Sequence, residues 1–233
     1  MSEYFKFENN KRDFPYYKHN PELSKTAWFV LLLMVPVSFL VYTLLSEKSE
    51  IIGSLAFCLV LLIPLMYYSK WDFSLMFYKP TKSEIKLAFL LFIGYLIYAT
   101  VVGEILEVLI HTPSVVGGDS AVVNLETFSS LIFSMMAEEL VKFIPFMFFM
   151  RFIFKYSHNR KLSVIISMII VLIFFGLLHY DPATTSLISI LLIQGLGSIF
   201  ELYGYIKTKN ILVSYLSHLL TDGVIFLLIL IGV

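Results

Sequence analysis

Only one cysteine, Cys58, occurs in the 233 residues, so no disulfide within the chain can hold this fold together. Set in an apolar run, that thiol reads as a small packing residue. Charge is scarce too: Asp, Glu, Lys and Arg make up 15% of the chain, against about 25% in an ordinary soluble domain. The formal net charge is zero, which leaves no basic footprint for a nucleic acid. Residues 1–25 are polar and aromatic and lack the short apolar core and cleavage site of a signal peptide. The first apolar segment is therefore expected to stay as a membrane anchor. The apolar runs are continuous rather than alternating, which excludes the strands of a membrane barrel. No internal repeat or low-complexity linker stands out.

What fills the chain instead is hydrocarbon. Hydrophobic residues account for 58% and the mean hydropathy is +0.84. The expected class is an all-α, polytopic transmembrane helical bundle. A crossing helix needs about 20 apolar residues, and the segments that fit are 26–45, 51–68, 86–110, 129–150, 162–178, 183–203 and 211–232. Residues 1–25 then form a basic cytoplasmic arm and 26–233 the membrane domain. The fifth segment is short and is expected to join the sixth in a hairpin sunk below the outer surface.

Loop charge orients the bundle. The arm carries Lys6, Lys11, Arg12, Lys18 and Lys25, and the loop after the second segment carries Lys70, Lys79 and Lys82. Arg151, Lys155, Arg160 and Lys161 follow the fourth segment, and Lys207 and Lys209 the sixth. The intervening loops hold only Lys48. By the positive-inside rule the N-terminus is cytoplasmic and the C-terminus outside.

Against that background Glu138 and Glu139 are conspicuous, lying side by side within the apolar stretch Leu131 to Met150. A carboxylate near a bilayer centre costs at least about 2.5–3.5 kcal/mol and marks a functional site unless it is offset. Lys142, four residues past Glu138 on the same helical face, is the candidate for partial neutralisation. Two more apolar segments deliver polar groups: Phe175 to His179 ends one, and His218 to Asp222 interrupts another at helical spacing. Glutamates held close together suit general acid–base hydrolysis. His179 can orient a water beside them, and His218 with Asp222 can stabilise the oxyanion formed at a carbonyl. A buried structural ion-pair network is the bland alternative for Glu138, Glu139 and Lys142 alone; three independent motifs argue against it. Glu104, Glu107 and His111 share one face of the third segment and read as an interfacial polar stripe. Glu201 either supports the site or marks the membrane boundary.

These residues resemble the CAAX prenyl endopeptidase and bacteriocin-processing family of intramembrane proteases, also called CPBP or Abi proteins. That family carries a Glu-Glu pair, then Phe-x-x-x-His, then His-x-x-x-Asn or Asp. Glu138-Glu139, Phe175 to His179 and His218 to Asp222 match in that order, with the protease core at about 129–222. The resemblance implies an intramembrane endopeptidase in which Glu138 and His179 activate water, and His218 and Asp222 stabilise the oxyanion. Glu139 would support the helix or the water, with Lys142 and Phe175 in supporting roles. One departure stands out: the family's Arg would fall at position 143, where this chain has Phe143, and the nearest cation is Lys142. The resulting Glu-Glu-x-x-Lys spacing resembles another membrane protease group, the site-1 protease of anti-sigma factors. The family has been labelled metalloprotease, and Glu, His and Asp are zinc ligands. The chain has no His-Glu-x-x-His motif, so no metal is expected. The expected partners are a membrane-associated peptide or protein substrate and the lipid bilayer, in a prokaryotic plasma membrane, with peptide maturation or bacteriocin self-immunity as the setting. The alternatives from other classes are a non-catalytic membrane partner with a protease-like site and a proton-coupled transporter.

Overall fold

A computed structural model of the chain describes residues 3–18, 20–110 and 123–231. Among them the regular structure is helical, with no strand. The long helices are α1 (Lys25–Ser46), α2 (Glu50–Tyr68), α3 (Lys82–Ile110), α4 (Leu125–Ser157) and α5 (Arg160–Leu178). They are followed by α6 (Leu187–Thr208) and α7 (Ile211–Leu230). Polar N-caps start most of them where the hydrocarbon begins. The side chains of Ser24, Ser49, Asn124, Asn159 and Asn210 each accept a hydrogen bond from a backbone N–H in the first turn. Such caps satisfy donors that the helix leaves unpaired.

Six of the seven helices are long and apolar enough to cross a membrane. The exception is α4, whose apolar run is interrupted by Glu138, Glu139 and Lys142. It is also the centre of the bundle. The α1–α2 pair packs on it from one side, α5 and α7 pack on it directly, and α3 closes the far side against α6 and α7. Helix α4 runs well past the expected 129–150 in both directions. Arg151 and Lys155, expected in a loop, lie in its last turns. The short fifth segment is a full 19-residue helix, antiparallel to α4.

The loops sort themselves by side. Tyr16 of the N-terminal arm bonds Ser69 at the end of α2 (2.5 Å), and the arm's Asn9 N–H reaches Lys207 O (2.8 Å). Arg160, at the start of α5, holds Glu8 (2.6 and 2.8 Å) and Asp13 (3.1 Å). Met76 O accepts from Ile211 N–H at 2.9 Å. The arm, the 69–81 loop, the α4–α5 turn and the α6–α7 turn thus gather at one end, the grouping that alternating loop charge requires. At the opposite end Ser49 donates to Glu126 at 2.5 Å.

The arm is no loose tail. Phe14 and Tyr16 are fully buried, with Phe14 against Phe146 (5.7 Å between centroids) and Tyr205 (5.6 Å), and Tyr16 against Phe143 (6.4 Å). Tyr205 also packs on Phe143 (5.3 Å). Tyr205 of α6 is therefore level with Phe143 and Phe146, and the buried α6–α7 turn at Lys209 and Asn210 follows four residues later. That turn stops about 10–15 Å short of the inner end of α4, at 1.5 Å per residue. The α6–α7 turn is thus sunk from the arm's side; the α5–α6 connection, expected to be sunk from the other side, begins at His179, level with Glu138 and about 20 Å below the start of α4 at 1.5 Å per residue.

Candidate active site

Four helices converge on the middle of the bundle. Glu139 on α4 is buried. Its carboxylate accepts from Lys142 Nζ one turn on (2.6 Å) and from His218 Nδ1 on α7 (2.9 Å). The ammonium of Lys142 is shared with Glu201 of α6. The Ser214 hydroxyl reaches both the Glu139 carboxylate and the Glu201 carbonyl oxygen (2.9 Å), donating to one at a time. Charges taken out of water are tolerated only when paired and hydrogen-bonded, and every member of this cluster is. Lys142 therefore neutralises Glu139 and Glu201, not Glu138 as the four-residue spacing suggested. Glu201 supports the site rather than marking a membrane boundary.

Glu138 is left facing open space. Its carboxylate lies 3.7 Å from His218 Nε2, and Asp222 lies 3.6 Å from the same nitrogen. Both exceed hydrogen-bond length and leave room to tighten around a bound group. Glu138, His179, His218 and Asp222 all line one cavity of about 280 Å³. The cavity extends past Ser134 and Gln194 to Tyr42, Glu50 and Thr127. It therefore runs from the buried cluster toward the end of the bundle opposite the arm. Helices α1 and α2 contribute Tyr42, Glu50 and Ser54 to its wall.

His179 reaches the cavity because of where α4 and α5 turn. Ser157 and Glu138 are 19 residues apart, as are Arg160 and His179, on two antiparallel helices joined by one short turn. The two residues consequently sit at the same height. Close approach of α5 and α6 helps: a Cβ on Gly176 would lie 2.9 Å from Gly195 Cα, and one on Gly195 would lie 2.9 Å from Leu172 O. Gly195 ends a π-helical stretch, Leu191–Gly195, that carries Gln194 into the cavity wall. Such bulges commonly accompany functional sites.

Hydrogen bonding fixes the two imidazoles. His179 Nδ1 is 2.9 Å from Phe175 O; a carbonyl only accepts, so Nδ1 carries a hydrogen, and in the neutral ring Nε2 is the acceptor. His218 Nδ1 donates to the Glu139 carboxylate, so its Nε2 is the atom facing Glu138 and Asp222. Phe175 joins the parts: its ring lies 4.6 Å from Lys142 Nζ, 4.7 Å from the His179 ring and 6.5 Å from the His218 ring.

Glu139, Glu201 and His218 offer ligand atoms within 4.8 Å of one another, the donor chemistry of a metal site. The ammonium of Lys142 already bridges the two carboxylates, however. The set fits the chain's own cation, and a metal ion would have to displace it. Glu104 and Glu107 are exposed on α3 away from this cluster, and His111 lies outside the described residues.

Sequence reasoning brought Glu138, Glu139, His179, His218, Asp222, Lys142 and Phe175 forward, and all lie in or against this one cluster. It missed Ser214, although four residues before His218 places it on the same helical face. Tyr42, Glu50 and Gln194 gave no signal, because their positions depend on how three helices pack.

Residues 124–224 match a family model described as Rce1-like, type II CAAX prenyl endopeptidase. The matched stretch runs from the start of α4 to beyond Asp222 and contains every residue of the three motifs, which bears out the resemblance drawn from them. Comparisons with curated proteins and with solved structures gave no match.

Proposed function

On the premise that residues 124–224 carry the Rce1-like domain of the type II CAAX prenyl endopeptidases, we propose that this chain hydrolyses a peptide bond of a membrane-associated peptide or protein. The observation that carries the reading is the convergence of Glu138, His179 and His218 on one cavity within the helical bundle. Glu138, which has no ion pair to a lysine or arginine among the described residues, takes a proton from a water that His179 Nε2 holds in place. The water oxygen attacks the carbonyl carbon, and the oxyanion accepts a hydrogen bond from Nε2–H of His218 protonated on both nitrogens, the form that also donates from Nδ1 to Glu139. Asp222 orients that ring from the cavity side and Glu139 from the other. The amide nitrogen then leaves with the proton returned by Glu138. General-base help is worth about 10²–10⁴ in rate, and one oxyanion donor about 10²–10³.

The setting we favour is peptide maturation or bacteriocin self-immunity at a prokaryotic plasma membrane, which suits a compact chain with a basic arm. The test is reconstitution of the full chain in liposomes with fluorogenic membrane-anchored peptides. Wild type should cleave at least one, while Glu138→Gln and His179→Ala should not. Cleavage that survives both substitutions overturns the assignment.

A further inference from the structure

A cavity larger than that of the active site lies elsewhere in the bundle. A groove of about 1190 Å³ lies between the start of α1 and the end of α4, at the basic end of the bundle. It exceeds the about 300–1,000 Å³ usual for small-ligand pockets. Phe29, Phe148, Phe152 and Tyr156 form part of its wall, a long aromatic surface. Its rim is basic: Lys18, Lys25, Arg151 and Lys155 line it beside His158, against the single carboxylate of Glu22. Arg151 is paired with Glu22 (2.6 Å) and Lys18 with Glu3 (3.3 Å). Lys25 and Lys155 are exposed and have no carboxylate partner among the described residues.

A second observation points the same way. Trp28 lines the groove and is 5% exposed, yet its indole N–H has no hydrogen-bond partner among the described residues. A buried indole N–H normally finds one. We propose that the groove is a binding site for one anionic phospholipid of the leaflet on the arm's side. Acyl chains lie along the aromatic wall, the phosphate sits between Lys25 and Lys155, and the Trp28 N–H donates to a headgroup or ester oxygen. Anionic lipids concentrate in the cytoplasmic leaflet, where basic residues beside a helix end attract them. The inference rests on the bundle lying in a membrane and is independent of peptide hydrolysis.

The test uses the full chain purified in a mild detergent and exchanged into nanodiscs of phosphatidylcholine with or without phosphatidylglycerol. Lipids retained after re-extraction are counted by native mass spectrometry. Wild type should retain one phosphatidylglycerol in preference to phosphatidylcholine of the same chains. Lys25→Ala with Lys155→Ala should cut that preference roughly thirtyfold, at about one tenfold step per 1.4 kcal/mol and about 1 kcal/mol per lysine. Trp28→Phe, which keeps an aromatic ring and removes the N–H, should weaken retention about fivefold. Lys79→Ala with Lys82→Ala, on the same face but outside the groove, should leave it unchanged. Equal retention of the two lipids overturns the proposal. So does an equal loss in the Lys79/Lys82 variant, which would assign the preference to the basic face as a whole.

Discussion

Glu138 and Glu139 are neighbours in sequence with opposite surroundings, so replacing each by its neutral isostere separates chemistry from stability. Glu139→Gln removes the charge that faces Lys142 (2.6 Å), His218 Nδ1 (2.9 Å) and Ser214. Breaking a buried pair by removing one partner typically costs about 3–5 kcal/mol. Lys142 keeps Glu201, which places the loss at the lower end, about 3 kcal/mol. At about 2–4 °C per kcal/mol for a chain of this size, Tm should fall by about 6–12 °C. Glu138 makes no hydrogen bond among the described residues, and its side chain is 20% exposed. Its replacement by Gln should change stability by less than about 0.5 kcal/mol while lowering kcat by about 10²–10⁴. Scanning fluorimetry in detergent gives Tm, and single-turnover cleavage in liposomes gives the rate. Equal Tm losses for the two variants, or full activity in Glu138→Gln, would refute the division of roles.

Four other perturbations probe the surroundings. Burial opposes ionisation of Glu8, but its hydrogen bonds to Arg160 and Lys209 hold its carboxyl below the usual range. The stability it contributes is therefore present above its unfolded pKa of about 4.5 and is lost as pH falls through the lower folded value; Tm should drop on acidification and drop less in Glu8→Gln. Burial also pulls Lys209 down to about 8, against the opposing pull of Glu8. A base depressed on folding favours the folded state increasingly as pH rises from about 8 toward 10.5, so that limb of the Tm profile should flatten in Lys209→Met. Gly195→Ala places a Cβ 2.9 Å from Leu172 O and forces α5 and α6 apart. It should cost about 1–3 kcal/mol and reduce cleavage even well below Tm, because His179 ends α5; unchanged kinetics would rule out that link. Finally, a strong chelator should leave cleavage intact. Loss that zinc restores would show that an ion replaces Lys142 between Glu139 and Glu201.

Hydropathy and loop charge made most of the helices legible, since burial of backbone groups in lipid leaves few alternatives to long apolar helices. Boundaries failed where charged residues continue a helix past the hydrocarbon, as Arg151 and Lys155 do in α4. The site's membership was legible because each polar side chain is costly where it sits. Its pairing was not. Glu138 and Glu139 are four and three residues from Lys142, both workable spacings on a helix. The choice between them is made by Glu201 and His218, which arrive from α6 and α7 on the Glu139 side. Ser214 was readable from its spacing to His218, whereas the aromatic residues of the arm gave no periodic signal of burial.

The arm accounts for the depth at which His218 operates. Had α6 and α7 turned at the inner end of α4, His218, seven residues into α7, would lie roughly two to three turns below Glu139 by helical rise. Instead Tyr205 packs against Phe143 and Phe146, the turn follows at Lys209, and α7 climbs back to bring His218 level with Glu139. A turn raised that far leaves a gap beneath it, with polar backbone that needs partners. Phe14 and Tyr16 fill the gap with aromatic surface. Glu8 meets the charges of Lys209 and Arg160, and Asn210 donates from its side chain to Tyr78 O (2.8 Å). Residues that read as a polar N-terminal extension thus support, from below, the height of the imidazole that faces Glu138.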